Sequence, residues 1–148
     1  MRLADPTRIW DTASGWFVPK ESDVRSVHVY FRKIRWKKEA KLPQVLSEFG
    51  GYACGIAGHV FNLKNAYGYR KFDTPEALSD ALEKLYLEEI VPAIRNGLCT
   101  AVLTQVSDVE DETNGLVTYD RQVIKVNEEQ MQRTEKALRE AFQKQITE

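Results

Sequence analysis

The stretch Pro43-Gln44-Val45-Leu46-Ser47-Glu48-Phe49-Gly50-Gly51 runs a short apolar segment into a carboxylate and then into two glycines. It reads as a buried strand delivering an acid to the rim of a barrel or open sheet. The glycines remove side chains where the backbone turns or a ligand approaches closely. A carboxylate in that position is costly unless it is solvated, paired or in use. Strand alternation predicts that Leu46 and Glu48 share one face. On spacing alone Glu48 reads as readily as a solvated strand end as it does a reacting group.

Outward from this stretch, four segments have strand character: residues 7–13, 26–31, 44–49 and 99–106. Each is short, rich in β-branched or aromatic residues, and followed by a polar or glycine-containing loop. A helix is expected over 75–96, with Asp73 or Thr74 as N-cap, Pro75 in the first turn and Gly97 closing it. Pro92 should kink or tighten its last turns. A second helix follows Asn127 to about residue 145, with Met131, Leu138 and Phe142 on one stripe. A helix between the third and fourth strands and another after the fourth read as β/α units with a parallel sheet. Residues 16–25 and 32–41 read as polar crossovers without a full helix. Four such strands leave two open edges, whereas a (β/α)8 barrel takes eight strands and about 250 residues. The chain therefore reads as one domain, or the back half of one.

The chain has 148 residues, 43% hydrophobic and 29% charged, with a net charge of −1, enough for one sizeable core. That balance gives no electrostatic case for nucleic acid or an anionic membrane as main partner. No stretch approaches the roughly 18 apolar residues of a membrane span. Cys54 and Cys99 are too few for a disulfide scaffold or zinc motif, and Met1 to Pro6 lack a signal-peptide core, so a reducing, cytoplasmic setting is expected. With two histidines, His28 and His59, no metal centre is expected. His28 reads as a hydrogen-bonded interior histidine. The acidic run from Asp108 to Glu112 fails the calcium-loop spacing, because a loop glycine at Gly115 puts Arg121 where a bidentate Glu belongs. The basic run Arg32-Lys33-Ile34-Arg35-Trp36-Lys37-Lys38 reads as an exposed crossover.

An ordered set of motifs carries a resemblance: Asp5-Pro6-Thr7-Arg8, Ala13-Ser14-Gly15-Trp16, Val27-His28-Val29-Tyr30-Phe31, Ser47-Glu48-Phe49-Gly50-Gly51, and the run from Thr104 to Leu116. Together they resemble the C-terminal part of the catalytic barrel of glycoside hydrolase family 2, the β-galactosidase and β-glucuronidase family, over nearly the whole chain. The resemblance implies a partial (β/α)8 TIM barrel, residues 1–148 supplying strands five to eight with their helices. It implies that Glu48 is the catalytic nucleophile of a retaining β-glycoside hydrolase and that Tyr30 hydrogen-bonds to it. Trp16 and Asp108 are the further expected sugar contacts, Trp16 by stacking on the ring.

The family's acid/base glutamate follows an asparagine on a fourth strand, and no such pair occurs here; Asn127-Glu128 opens the last helix instead. Thr104 falls near a position where many members carry tryptophan, and Gly50-Gly51 replace a region that often holds histidine. The expected activity is therefore a glycosidase fragment holding the nucleophile without its acid/base, inactive alone, with a β-glycoside as ligand and no cofactor. Two other arrangements are expected as alternatives: one half of a split enzyme completed by a separate chain, or a non-catalytic, self-associating sugar-binding domain.

Overall fold

A computed structural model describes residues 3–12, 15, 21–36, 38, 41–62 and 64–147. In chain order the strands are β1 (Arg25–Val29), β2 (Gln44–Gly50), β3 (Tyr52–Ala53), β4 (Arg70–Lys71) and β5 (Leu98–Thr104). The helices are α1 (Pro75–Leu85), α2 (Val91–Arg95) and α3 (Glu128–Thr147), with a π-helical turn over Tyr86–Ile90 joining α1 to α2. β1, β2 and β5 form a parallel sheet in that order, and β3 and β4 form a separate parallel pair.

This is a small mixed α/β fold, not a partial (β/α)8 barrel. Among the described residues, 7–12 form turns and bends where the first barrel strand was expected. The reason is local. Asp5 Oδ1 accepts from the Thr7 backbone N–H at 2.9 Å and from the Thr7 hydroxyl at 2.6 Å, so a side chain takes the hydrogen bonds a ladder would need. Among its described residues the connection from β1 to β2 contains no helix, and the chain between β5 and α3 is a loop held by isolated bridges. The sheet is open. β1 and β5 each keep an unpaired edge among the described residues.

The first helix forms as its sequence requires. Thr74 Oγ1 accepts from Ala77 N–H at 3.1 Å and Pro75 occupies the first turn. Pro92 has the opposite effect from tightening. Lacking an N–H and crowding the carbonyl four residues back, it leaves the preceding turn wide, and Val91 N–H reaches Tyr86 O. Gly97 ends the helix at φ +96°, a conformation open to glycine. On α3 the packed stripe is Met131, Thr134, Leu138 and Ala141, whereas Phe142 is 44% exposed. The main core lies between this helical layer and one face of the sheet. Leu46 and Phe49 are fully buried there with Leu98, Ile90 and Ile94.

Candidate functional site

Leu46 and Phe49 lie three residues apart and yet enter the same core, so β2 does not alternate strictly. The register explains this. Val27 pairs with Leu46 but His28 pairs with Glu48, which leaves Ser47 as an extra residue. Across β5, Leu46 to Phe49 spans only Ala101 to Leu103, so the same bulge shows on that side. Such a bulge bends the strand and re-aims the side chain after it. Glu48 therefore does not share the Leu46 face. Ser47 is itself tied down, its hydroxyl accepting from Ser26 Oγ at 2.6 Å.

The bulge sets Glu48 beside residues from both neighbouring strands. The Tyr30 hydroxyl, one residue past β1, donates to Glu48 Oε2 at 2.5 Å. Thr104 Oγ1, at the end of β5, lies 2.9 Å from the same hydroxyl. Because the tyrosine proton is committed to Glu48, the threonine is the donor, and a relay runs Thr104 to Tyr30 to Glu48. His28 Nδ1 sits 3.2 Å from Glu48 Oε2. Among the described residues these contacts all fall on Oε2, so Oε1 keeps no protein partner. The Glu48 side chain is 44% exposed, open to a ligand from solvent.

Burial, and then the Glu48 carboxylate it donates to, push the Tyr30 phenol well above the usual tyrosine range. Tyr30 thus remains a donor across physiological pH. Its ring stacks on Tyr69 with centroids 3.9 Å apart. That stack needs Gly51. The residue has φ +63°, and a Cβ there would lie 2.3 Å from the Tyr69 ring and 3.2 Å from Tyr30. Gly15 carries the other flank, where a Cβ would meet the His28 ring at 3.0 Å. The peptide between Thr104 and Gln105 is cis.

Asp108, expected near the sugar, lies elsewhere. It is 1% exposed and its Oδ1 accepts from Lys125 Nζ at 2.7 Å and from Gly115 N–H at 2.8 Å. Lys125, 0% exposed, also donates to the Cys54 and Thr113 carbonyls at 2.9 Å each, so all three ammonium protons are used. Desolvation lowers the Lys125 pKa even against the attraction of Asp108. Asp108 is a structural carboxylate that pins the loop after β5, and its burial keeps it from a sugar in solution. Trp16 falls outside the described residues.

Three participants were not singled out as site residues by sequence reasoning. Thr104 was noticed only as a replaced tryptophan, His28 as an interior histidine, and Tyr69 not at all. Tyr69 is raised first by desolvation and then by Tyr67, with Glu48 and Glu112 adding to it. Glu112 is held by Gln105 Nε2 at 3.1 Å, immediately after the β5 relay residue.

A cavity of about 350 Å³ borders Tyr30 and Tyr69 and continues to Tyr52, Arg70 and Glu89, but Glu48 does not line it. The carboxylate stands on an open surface instead. No group of three or more metal-ligating side chains occurs among the described residues. No helix among them is long and apolar enough to cross a membrane. Comparison with protein-family models and with curated proteins finds no match to this chain.

Proposed function

We propose that Glu48 is the nucleophile of a β-glycoside-hydrolysing site and that this chain carries it without the acid/base partner. The observation that carries the reading is the 2.5 Å hydrogen bond from Tyr30 to Glu48 Oε2 at the ends of two adjoining parallel strands. A hydroxyl donating to one carboxylate oxygen fixes the orientation of the other. The unpartnered Oε1 is then the oxygen that attacks the anomeric carbon, giving a glycosyl ester that water hydrolyses. The motif resemblance to β-galactosidases and β-glucuronidases around Glu48 and Tyr30 implies the same role for Glu48.

A retaining mechanism needs a second carboxyl group about 5–5.5 Å away, to protonate the leaving oxygen and later to activate water. No carboxylate shares Glu48's hydrogen bonds among the described residues. The chain alone is therefore expected to leave ordinary β-glycosides intact. The open edges of β1 and β5 favour completion by a separate chain that supplies the acid/base and the missing wall. A cytoplasmic setting goes with this reading, supported by two free thiols, Cys54 buried and Cys99 exposed.

An activated substrate separates the two halves of the chemistry. A dinitrophenyl leaving group departs without protonation, and fluorine beside the anomeric carbon slows release of the ester. Incubation with fluorinated dinitrophenyl β-galactoside and β-glucuronide should add one glycosyl unit to Glu48, read by peptide mass. Labelling that survives Glu48→Gln, or no labelling by either glycoside at millimolar concentration, would sink the proposal.

A further inference from the structure

A second site, which does not include Glu48, runs along β1 from Arg25 at its start to Val29 at its end. Arg25 opens β1 and Gln44 opens β2, and the two are register partners. The basic run after β1 folds back towards them. Its centre is anchored, because Ile34 is buried and its backbone N–H donates to Glu89 Oε2 at 2.6 Å. That anchor sets Arg32 and Lys33 on one side and Arg35 and Trp36 on the other. A cavity of about 310 Å³ results, walled by Arg25, Arg32, Lys33, Arg35, Trp36 and Gln44 over a floor of Val27 and Val29.

The lining has one chemical character. Four cations face a volume with no carboxylate among the described residues that line it. None of the four makes an ion pair within the described residues. Two further donors are buried and unused. Gln44 is only 3% exposed and its Nε2 has no hydrogen-bond partner, and the Trp36 indole Nε1 has none either. Buried polar groups are nearly always satisfied, so such orphans call for a partner. Arginine forks and an ammonium around one cavity suit the oxygens of a phosphoryl group.

We propose that this cavity binds a small phosphorylated oxyanion. The volume lies at the lower end of small-molecule sites, and it fits one or two phosphoryl groups rather than an extended chain. A net charge of −1 over the whole molecule makes four cations around one cavity a local concentration, not a general basic surface. The site is independent of the glycoside reading and does not share Glu48, Tyr30 or Thr104.

Inorganic pyrophosphate is the probe, titrated calorimetrically into the full chain at low ionic strength with sodium chloride of equal ionic strength as control. Saturable one-to-one binding is expected, accompanied by a change in Trp36 fluorescence. Arg32→Gln/Lys33→Gln, both exposed side chains, should weaken binding at least tenfold with an unchanged melting curve. Arg35→Gln should do so separately, and Lys84→Gln on α1 should not. No saturable binding, or equal weakening by Lys84→Gln, overturns the proposal. Tighter binding of a single-stranded oligonucleotide than of pyrophosphate, with a steep salt dependence, overturns it too, in favour of an extended polyanion groove.

Discussion

Glu48 and Asp108 are both carboxylates close to the end of a strand in the same sheet, and the sequence invites the same role for each. Their surroundings differ in the charge of the partner and in exposure. Glu48 accepts from a neutral hydroxyl and is 44% exposed. Asp108 is sealed at 1% exposure against an ammonium that also satisfies two carbonyls. A carboxylate becomes available for chemistry when its partners orient it without using it up. One that neutralises a buried cation has become part of the fold.

The largest test of that contrast is Lys125→Met. Removing one member of a buried ion pair leaves an uncompensated charge and typically costs about 3–5 kcal/mol. Urea unfolding should show a loss of that size. The double variant Asp108→Leu/Lys125→Met should recover much of it, since replacing both charges removes the orphan. A single-variant loss below about 1 kcal/mol would mean that water reaches the pair and the two carboxylates are alike after all.

Gly51→Ala probes the open site at an intermediate size. A Cβ at φ +63° is strained by about 1–3 kcal/mol, and here it would also strike the Tyr69 ring. Unfolding should show a loss of that order, and the Tyr30–Tyr69 stack should come apart, visible as a change in near-ultraviolet circular dichroism. An unchanged spectrum would mean that Glu48's surroundings are not held by the ring stack.

The parts of this molecule that sequence made legible were those set by local rules. β2 with its glycine exit, the Thr74 cap, Pro75 and Gly97 all follow from residue type and spacing. The first strand failed because Asp5 satisfies Thr7 locally, a competition that β-propensity does not register. Ser47 gives no outward sign of being an extra residue, so strict alternation put Glu48 on the wrong face. Asp108 was misplaced for a longer-range reason. Its partner Lys125 is 17 residues away, and nothing in the intervening acidic loop marks it. The barrel expectation rested on counting four strands and on a resemblance, and it fell with the first strand and the open sheet.

Glu48→Gln should be nearly silent in stability. The side chain is half exposed, and the glutamine carbonyl can still accept from Tyr30, so the loss should not exceed the net worth of one ordinary hydrogen bond, about 0.5–1.5 kcal/mol. Equilibrium unfolding should stay within that range of the unaltered chain. A loss approaching that of Lys125→Met would place Glu48 with Asp108, as a structural carboxylate, and remove the physical basis for its proposed chemical role.

Asp120 separates burial from hydrogen bonding as the reason a carboxylate stays ionised. Its side chain is 37% exposed, its Oδ1 accepts from the Thr118 hydroxyl at 2.7 Å and from Gln122 N–H at 3.1 Å, and Oδ2 lies 2.7 Å from His59 Nδ1. These donors, Thr118 foremost, pull its pKa from 3.8 down to about 2. A depressed folded-state pKa means that its contribution to stability is complete above 3.8 and is lost as pH falls towards 2. The effect on unfolding should be small because the group is exposed and screened. Its titration is easier to read, as the carboxyl carbon shift by nuclear magnetic resonance. The midpoint should fall near 2, and Thr118→Val should raise it towards 3.8. A midpoint unmoved by that substitution would mean that the donors do not control the charge.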